Sequence, residues 1–152
     1  MLEALKEAEQ ASAANEVPVG AVIVYEDRII GRGHNQVEQR RDARAHAEML
    51  ALEEASQHRG DWRLNDCSLY VTLEPCSMCM GAVKLARVST IVYGLEDPRI
   101  GACGSLFDLS SDARLGPVPR VIRGIEEEAC KALLQQFFQK KRKKKGLPEE
   151  PR

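Results

Sequence analysis

Residues 68–79 read Ser-Leu-Tyr-Val-Thr-Leu-Glu-Pro-Cys-Ser-Met-Cys. The first six, Ser68–Leu73, are a run of β-branched, aromatic and leucine side chains too short for a helix, and they predict a strand. Pro75 predicts a helix start, because its missing N–H has no partner to lose in the first turn. That helix is expected to run to about Arg87, and Thr90–Tyr93 is expected to be a second buried strand. Strand, helix and strand in succession require a crossover between parallel strands.

Upstream, residues 2 to about 14 are rich in Ala, Leu, Glu and Lys. Leu2, Leu5 and Ala8 stand at helical spacing and predict an amphipathic helix. Glu16-Val17-Pro18 ends it. Val19–Tyr25 and Arg28 to about Asn35, joined by Glu26-Asp27, predict an antiparallel hairpin. A polar, arginine-rich loop is expected to Arg44, followed by a helix over Ala45–Gln57. Downstream, Gly94–Gly104 reads as loop, with a short helix near Ser105–Leu109. Val118–Arg123 reads as a fifth strand, placed at an edge because Pro119 cannot donate to a ladder. Glu126 to about Lys143 reads as a final helix with acids first and bases last, as its dipole favours. The expected architecture is α/β: a five-stranded mixed sheet with helices on both faces, a three-layer α/β/α sandwich.

The 152 residues suit one domain, expected over 1–145, with 146–152 as a flexible C-terminal tail. Hydrophobic residues at 43% and charged residues at 30% fit a globular protein, and no apolar run approaches the length a bilayer needs. The amino terminus carries acids and no signal core, so a cytoplasmic protein without membrane contact is expected. Net charge is −1, yet Lys140, Lys141, Arg142, Lys143, Lys144 and Lys145 are consecutive. Such a block either stays solvated or docks on phosphates. The five cysteines are odd in number, which argues for metal binding or buried thiols over a disulfide framework.

Two pieces carry chemistry. Cys76 and Cys79 are three residues apart and share one helical face. A helix amino terminus there favours the thiolate that a metal needs. Two sulfurs leave zinc short of ligands, and no second Cys-x-x-Cys exists to close a structural site. His46, in Ala45-His46-Ala47-Glu48, is the best-placed third ligand because it too stands at a helix start. Three protein ligands leave one position for water, the arrangement of a catalytic zinc. Glu48, two residues on, does not stack on His46 in a regular helix. The imidazole is thus expected to face the metal while the longer carboxylate moves a proton from water to a ring nitrogen, and later to departing ammonia. Singly, His-x-Glu also reads as a solvated helix face, and Cys-x-x-Cys as a redox pair or half a zinc knuckle. Together, His-x-Glu and Pro-Cys-x-x-Cys are the known signature of zinc nucleobase deaminases, in which the glutamate is the acid/base and not a ligand.

Longer blocks narrow the likeness. Glu16–Val24 (EVPVGAVIV), Ala45–Glu48, Leu69–Cys76 with Met78-Cys79, Val92-Tyr93-Gly94 with Asp97, Gly101–Ser105 and Phe137-Phe138 follow one another over nearly the whole chain to about Lys140. In these the sequence resembles the bacterial tRNA-specific adenosine deaminases. The resemblance implies a cytidine-deaminase-like fold, a homodimer, and hydrolysis of adenosine to inosine at position 34 of a tRNA anticodon stem-loop. It implies one Zn²⁺ per subunit on His46, Cys76 and Cys79, with Glu48 catalytic. It places Asn35 and the Val17–Val19 segment, Val19 included, around the flipped base, and Asp97 near a sugar. Phe138, Lys141 and Arg142 are the expected RNA contacts. Plainer readings stand beside these: Asn35 ends a strand, Val19 packs in the core, Asp97-Pro98 is a turn, and at least one of Phe137 and Phe138 is packing. The chain departs from the family at Asp42-Ala43-Arg44, where Asp-Pro-Thr is usual, and at Gly116-Pro117, where Asn-His is frequent. Without the proline the approach to the second helix is expected to loosen, and Arg44 adds charge near the site. Two rival readings are a deaminase of free bases or nucleosides, of guanine or cytidine type, and a non-catalytic zinc-binding subunit of an editing complex.

Overall fold

The computed structural model describes residues 1–148; the expected tail at 146–152 lies partly outside the described residues. The elements in chain order are α1 (Leu2–Ala13), β1 (Gly20–Tyr25), β2 (Arg28–His34), α2 (Val37–Arg40), α3 (Ala47–Arg59), β3 (Ser68–Leu73), α4 (Ser77–Leu85), β4 (Thr90–Leu95), a 3₁₀ turn at Ala113–Leu115, β5 (Arg120–Arg123) and α5 (Glu127–Lys145). The sheet has five strands in the order β2-β1-β3-β4-β5. β1 is antiparallel to β2 and β3, while β3, β4 and β5 run parallel. β5 is the edge strand that Pro119 suggested. Among the described residues, no helix is long and apolar enough to cross a membrane.

The hairpin turns on Glu26 (φ 48°) and Asp27 (φ 61°), both left-handed, which matches the twist of the flanking strands. Odd-numbered side chains of the inner strands, Ala21, Ile23, Leu69, Val71, Ile91 and Tyr93, enter the main core with α3 and α4. The opposite face carries α1 and α5. Helices approach this sheet unusually closely because both partners are small. A Cβ on Gly20 would lie 2.0 Å from Ala4 O, one on Gly31 2.2 Å from Ala51 O, and one on Gly33 2.2 Å from Ala47 O. The buried stripe of α1 is therefore Ala4, Ala8 and Ala11, with Glu7, and Leu2 is 64% exposed. Of Leu2, Leu5 and Ala8, whose spacing predicted the amphipathic helix, Ala8 is buried and Leu2 is not: the helix seats its alanines over Gly20.

Three further expectations are corrected. The arginine-rich loop contains α2, whose second and third N–H groups are taken by a distant acid: Glu16 accepts from Gln39 N–H at 2.7 Å and from Glu38 N–H at 3.3 Å. No helix forms at Ser105–Leu109. There the N–H groups of Leu106 and Phe107 both turn back to Gly101 O, and Asp108 takes the N–H and hydroxyl groups of Ser110 and Ser111. Those side-chain bonds compete with a helical ladder. Finally, α4 begins at Ser77 with Cys76 as its N-cap, so Pro75 stands ahead of the cap and not in the first turn.

Candidate active site

The parallel strands β3 and β4 end at Leu73 and Leu95. Crevices outside the carboxyl ends of strands are where open α/β sheets bind ligands. Here α3 and α4 both begin.

His46 is the N-cap of α3 (φ −72°, ψ 153°) and Cys76 the N-cap of α4 (φ −75°, ψ 176°). Neither side chain caps its own helix. Extended backbone at both positions turns imidazole and sulfur out of the helix and towards each other. Cys79 lies one turn into α4. His46 Nδ1 stands 3.6 Å from Cys76 Sγ and 3.5 Å from Cys79 Sγ, and the three donor atoms lie within 4.8 Å of one another. A tetrahedral zinc with ordinary Zn–S and Zn–N bonds would hold nitrogen and sulfur about 3.6 Å apart. The donor set and its spacing therefore fit that ion.

Left to themselves, the three groups share protons. A hydrogen bond from the Cys79 thiol, together with one involving His46, holds the Cys76 thiol down to about 4. The same hydrogen bond between the two sulfurs, with burial, pushes Cys79 up. The bond to Cys76 raises His46. Glu48, in the first turn of α3, is 4% exposed, and burial pushes its carboxyl up to about 7. A carboxyl poised there can both take and return a proton near neutral pH.

A cleft of about 270 Å³ opens beside these groups. Val19, Asn35, His46, Glu48, Cys76 and Asp97 all line it, and so does Lys141. The side chains of Asn35 and Asp97 also hold backbone. Asn35 donates to Val17 O (3.3 Å) and accepts from Val37 N–H (3.4 Å), while Asp97 Oδ1 accepts from Arg99 N–H (3.0 Å). Phe138 and Arg142 are not among the residues that line the cleft. Phe137 is buried, and Phe138 packs edge-on against it at 5.4 Å. The basic run continues α5 to Lys145, with Lys141 Nζ 4.9 Å over the Phe137 ring.

Ahead of α3, Asp42 accepts from Arg44 N–H at 2.9 Å and from its guanidinium at 3.0 and 2.9 Å, which pairs the charge that Arg44 adds. Among the cleft residues not anticipated from the sequence are two buried acids, Glu16 and Glu74, 1% and 2% exposed. An acid inside an otherwise apolar run is the one sequence signal that marks them, since a buried carboxylate must find donors.

Taken together, the fold and this cluster define a deaminase of the zinc nucleobase class. Comparison with known proteins narrows that class. Residues 1–142 match the MafB19-like deaminase family. The tRNA-specific adenosine deaminase of Bacillus subtilis is 48% identical over 145 residues, covering 95% of this chain and 90% of that one. The protein of the same name from Streptococcus pyogenes serotype M3 is 46% identical over 147 residues, covering 97% and 86%. A structure from a study of A-to-I editing by tRNA:A34 deaminases superposes with a TM-score of 0.85 at 39% identity, covering 88% of this chain and 97% of that one. The guanine deaminase of Nitrosomonas europaea follows at 0.72 and 28%, covering 88% and 80%. The chain belongs to the tRNA-specific adenosine deaminase family.

Proposed function

We propose that this protein hydrolyses adenosine to inosine at the wobble nucleotide, position 34, of a tRNA anticodon stem-loop, releasing ammonia. The observation that carries this is the meeting of His46, Cys76 and Cys79 at zinc spacing beside the buried Glu48, in a chain of this family. One Zn²⁺ per subunit would be held by those three side chains and would supply an acidified water. Glu48 takes the proton of the attacking water and delivers it to N1 of the purine as the oxygen adds at C6. It then takes the proton of the C6 hydroxyl and passes it to the departing amine, so that ammonia leaves and the C6 carbonyl of inosine remains. The target base enters the cleft flipped out of the loop, where unstacking costs least. Val19, Asn35 and Asp97 form its surroundings. Lys141 at the cleft links the reacting nucleotide to the basic end of α5, where Arg142 and its neighbours meet backbone phosphates and Phe138 offers an edge to the RNA.

Residues 1–145 act as one deaminase domain, with 146–152 as a tail, in a cytoplasmic homodimer. Exposed Leu85, Leu115 and Val118, on α4 and the segment packed beside it, support an interface between copies. The test is to incubate purified protein with an anticodon stem-loop, free adenosine and free guanine, and to locate inosine by sequencing. Inosine at the wobble nucleotide with zinc at one equivalent per chain is expected. Turnover of free guanine or nucleoside alone would move the assignment to the guanine-deaminase type of activity; stoichiometric zinc with no ammonia from any substrate would make the protein a binding subunit.

A further inference from the structure

Glu74 lies between the end of β3 and the metal-binding Cys76, and it is 2% exposed. Its hydrogen-bond donors all come from one segment, residues 97–105. Oε1 accepts from Cys103 N–H and Ser105 N–H, each at 3.0 Å. Oε2 accepts from Asp97 N–H at 2.9 Å and from the Ser105 hydroxyl. The fit is steric as well, since a Cβ on Gly101 would lie 2.4 Å from Glu74 Cδ and Oε2. The segment is joined to the start of α4 by Ala102 N–H donating to Pro75 O at 2.8 Å and by the Cys76–Gly101 bridge. Asp97 and Ile100, on this segment, line the cleft.

The ligand triangle is complete without Glu74, and Glu48 already supplies the proton carrier. What Glu74 does alone is gather the N–H groups of an irregular loop onto one carboxylate. We propose that Glu74 is a positioning residue for substrate recognition: it sets the cleft wall that carries Asp97 and Ile100, and so governs affinity for the RNA nucleotide and not the proton transfer. This rests on the reading of the cleft given under Proposed function.

A carboxylate accepts on both oxygens, whereas an amide accepts on one. In Glu74→Gln the amino group would avoid the side facing two N–H groups and turn to the Oε2 side, where the Ser105 oxygen can accept it. Asp97 N–H then faces a donor. Loss of one charge-assisted hydrogen bond is worth about tenfold or more. Glu74→Gln is therefore expected to raise KM for the stem-loop about tenfold with kcat and zinc content little changed. Amide exchange should quicken at residues 97–105 and stay unchanged in α3 and α4. The effect on KM should be less than additive with Asp97→Ala, because both act on one wall. Ser105→Ala, which removes only the hydroxyl, should show the same pattern more weakly, and it carries the test if Glu74→Gln does not fold.

An active wild type with unchanged KM in both variants would overturn the inference. Additivity with Asp97→Ala, or a fall in kcat together with lost zinc, would also do so. A wild type that leaves the stem-loop untouched defeats the function reading instead; unchanged amide exchange at 97–105 in both variants then still overturns the role given to Glu74.

Discussion

His46 and Cys76, separated by 30 positions, occupy the same place in two helices: each is the N-cap, and the imidazole Nδ1 of one stands 3.6 Å from the sulfur of the other. Two helix amino termini thus converge on one point. Each brings partial positive charge, which stabilises thiolate and leaves the ring nitrogen facing the sulfurs. Cys79, inside α4 and fully buried, is placed by Cys76 and not independently.

With the metal removed by chelation, the two thiols are expected to differ sharply. Cys76, held down to about 4, should alkylate at mildly acidic pH, whereas Cys79, buried and pushed up, should resist. Iodoacetamide labelling followed by peptide mapping reads this directly. Added zinc should protect both. Modification of Cys79 ahead of Cys76 would contradict the arrangement of charge described above.

Glu48→Gln keeps the volume of the side chain and removes the titrating group. A positioned acid/base contributes about 10²–10⁴-fold, so kcat should fall within that range. Zinc stoichiometry and melting temperature should stay close to wild type. Glu48→Ala should likewise retain zinc and fold while turnover is lost. Single-turnover inosine formation alongside metal analysis makes the comparison; substantial residual turnover would mean that another group moves the proton.

Gly33→Ala and Gly31→Ala impose the same insult at different points along α3. Each new methyl would meet a helix carbonyl, Ala47 O or Ala51 O, at 2.2 Å. Both should destabilise by about 1–3 kcal/mol, the usual cost of overpacking. Only Gly33→Ala pushes on the first turn, which carries His46 and Glu48. It alone should release zinc faster to a competing chelator. Equal release rates at matched stability would show that the metal triangle does not depend on the seat of α3 against β2.

Replacing Lys140–Lys145 with glutamine should weaken stem-loop binding and flatten its salt dependence. Each lost phosphate contact should remove about 0.7 from the slope of log K against log salt for single-stranded RNA. Glutamine has a helix propensity close to that of lysine, so α5 should persist. Titrations across salt concentration with circular dichroism separate the two effects. An unchanged slope would return the run to a solvated helix end.

The chemistry was legible in the sequence because its signals are local. Cys76 and Cys79 declare a shared helical face by spacing, Pro75 marks a break, and His-x-Glu supplies a third donor with a carboxylate beside it. Strands fared equally well: Ser68–Leu73 matched its expected bounds, and the Glu26-Asp27 turn fell where the hairpin reading put it. The helix α1 was legible but not the full set of residues it buries, because leucine outweighs alanine in any hydrophobic pattern. What decided the matter was Gly20 beneath it, where a Cβ would meet the helix backbone at Ala4 and Ala8.

Which groups would stand around the metal, and roughly where strands and helices would fall, is therefore written in the order of residues, because propensity and periodicity act over a few positions. The cleft wall is another matter. The capping of α2 by Glu16 and the gathering of residues 97–105 by Glu74 join segments more than twenty positions apart. Hydrogen bonds of that kind exist only once the backbone has closed, and only the folded chain could show them.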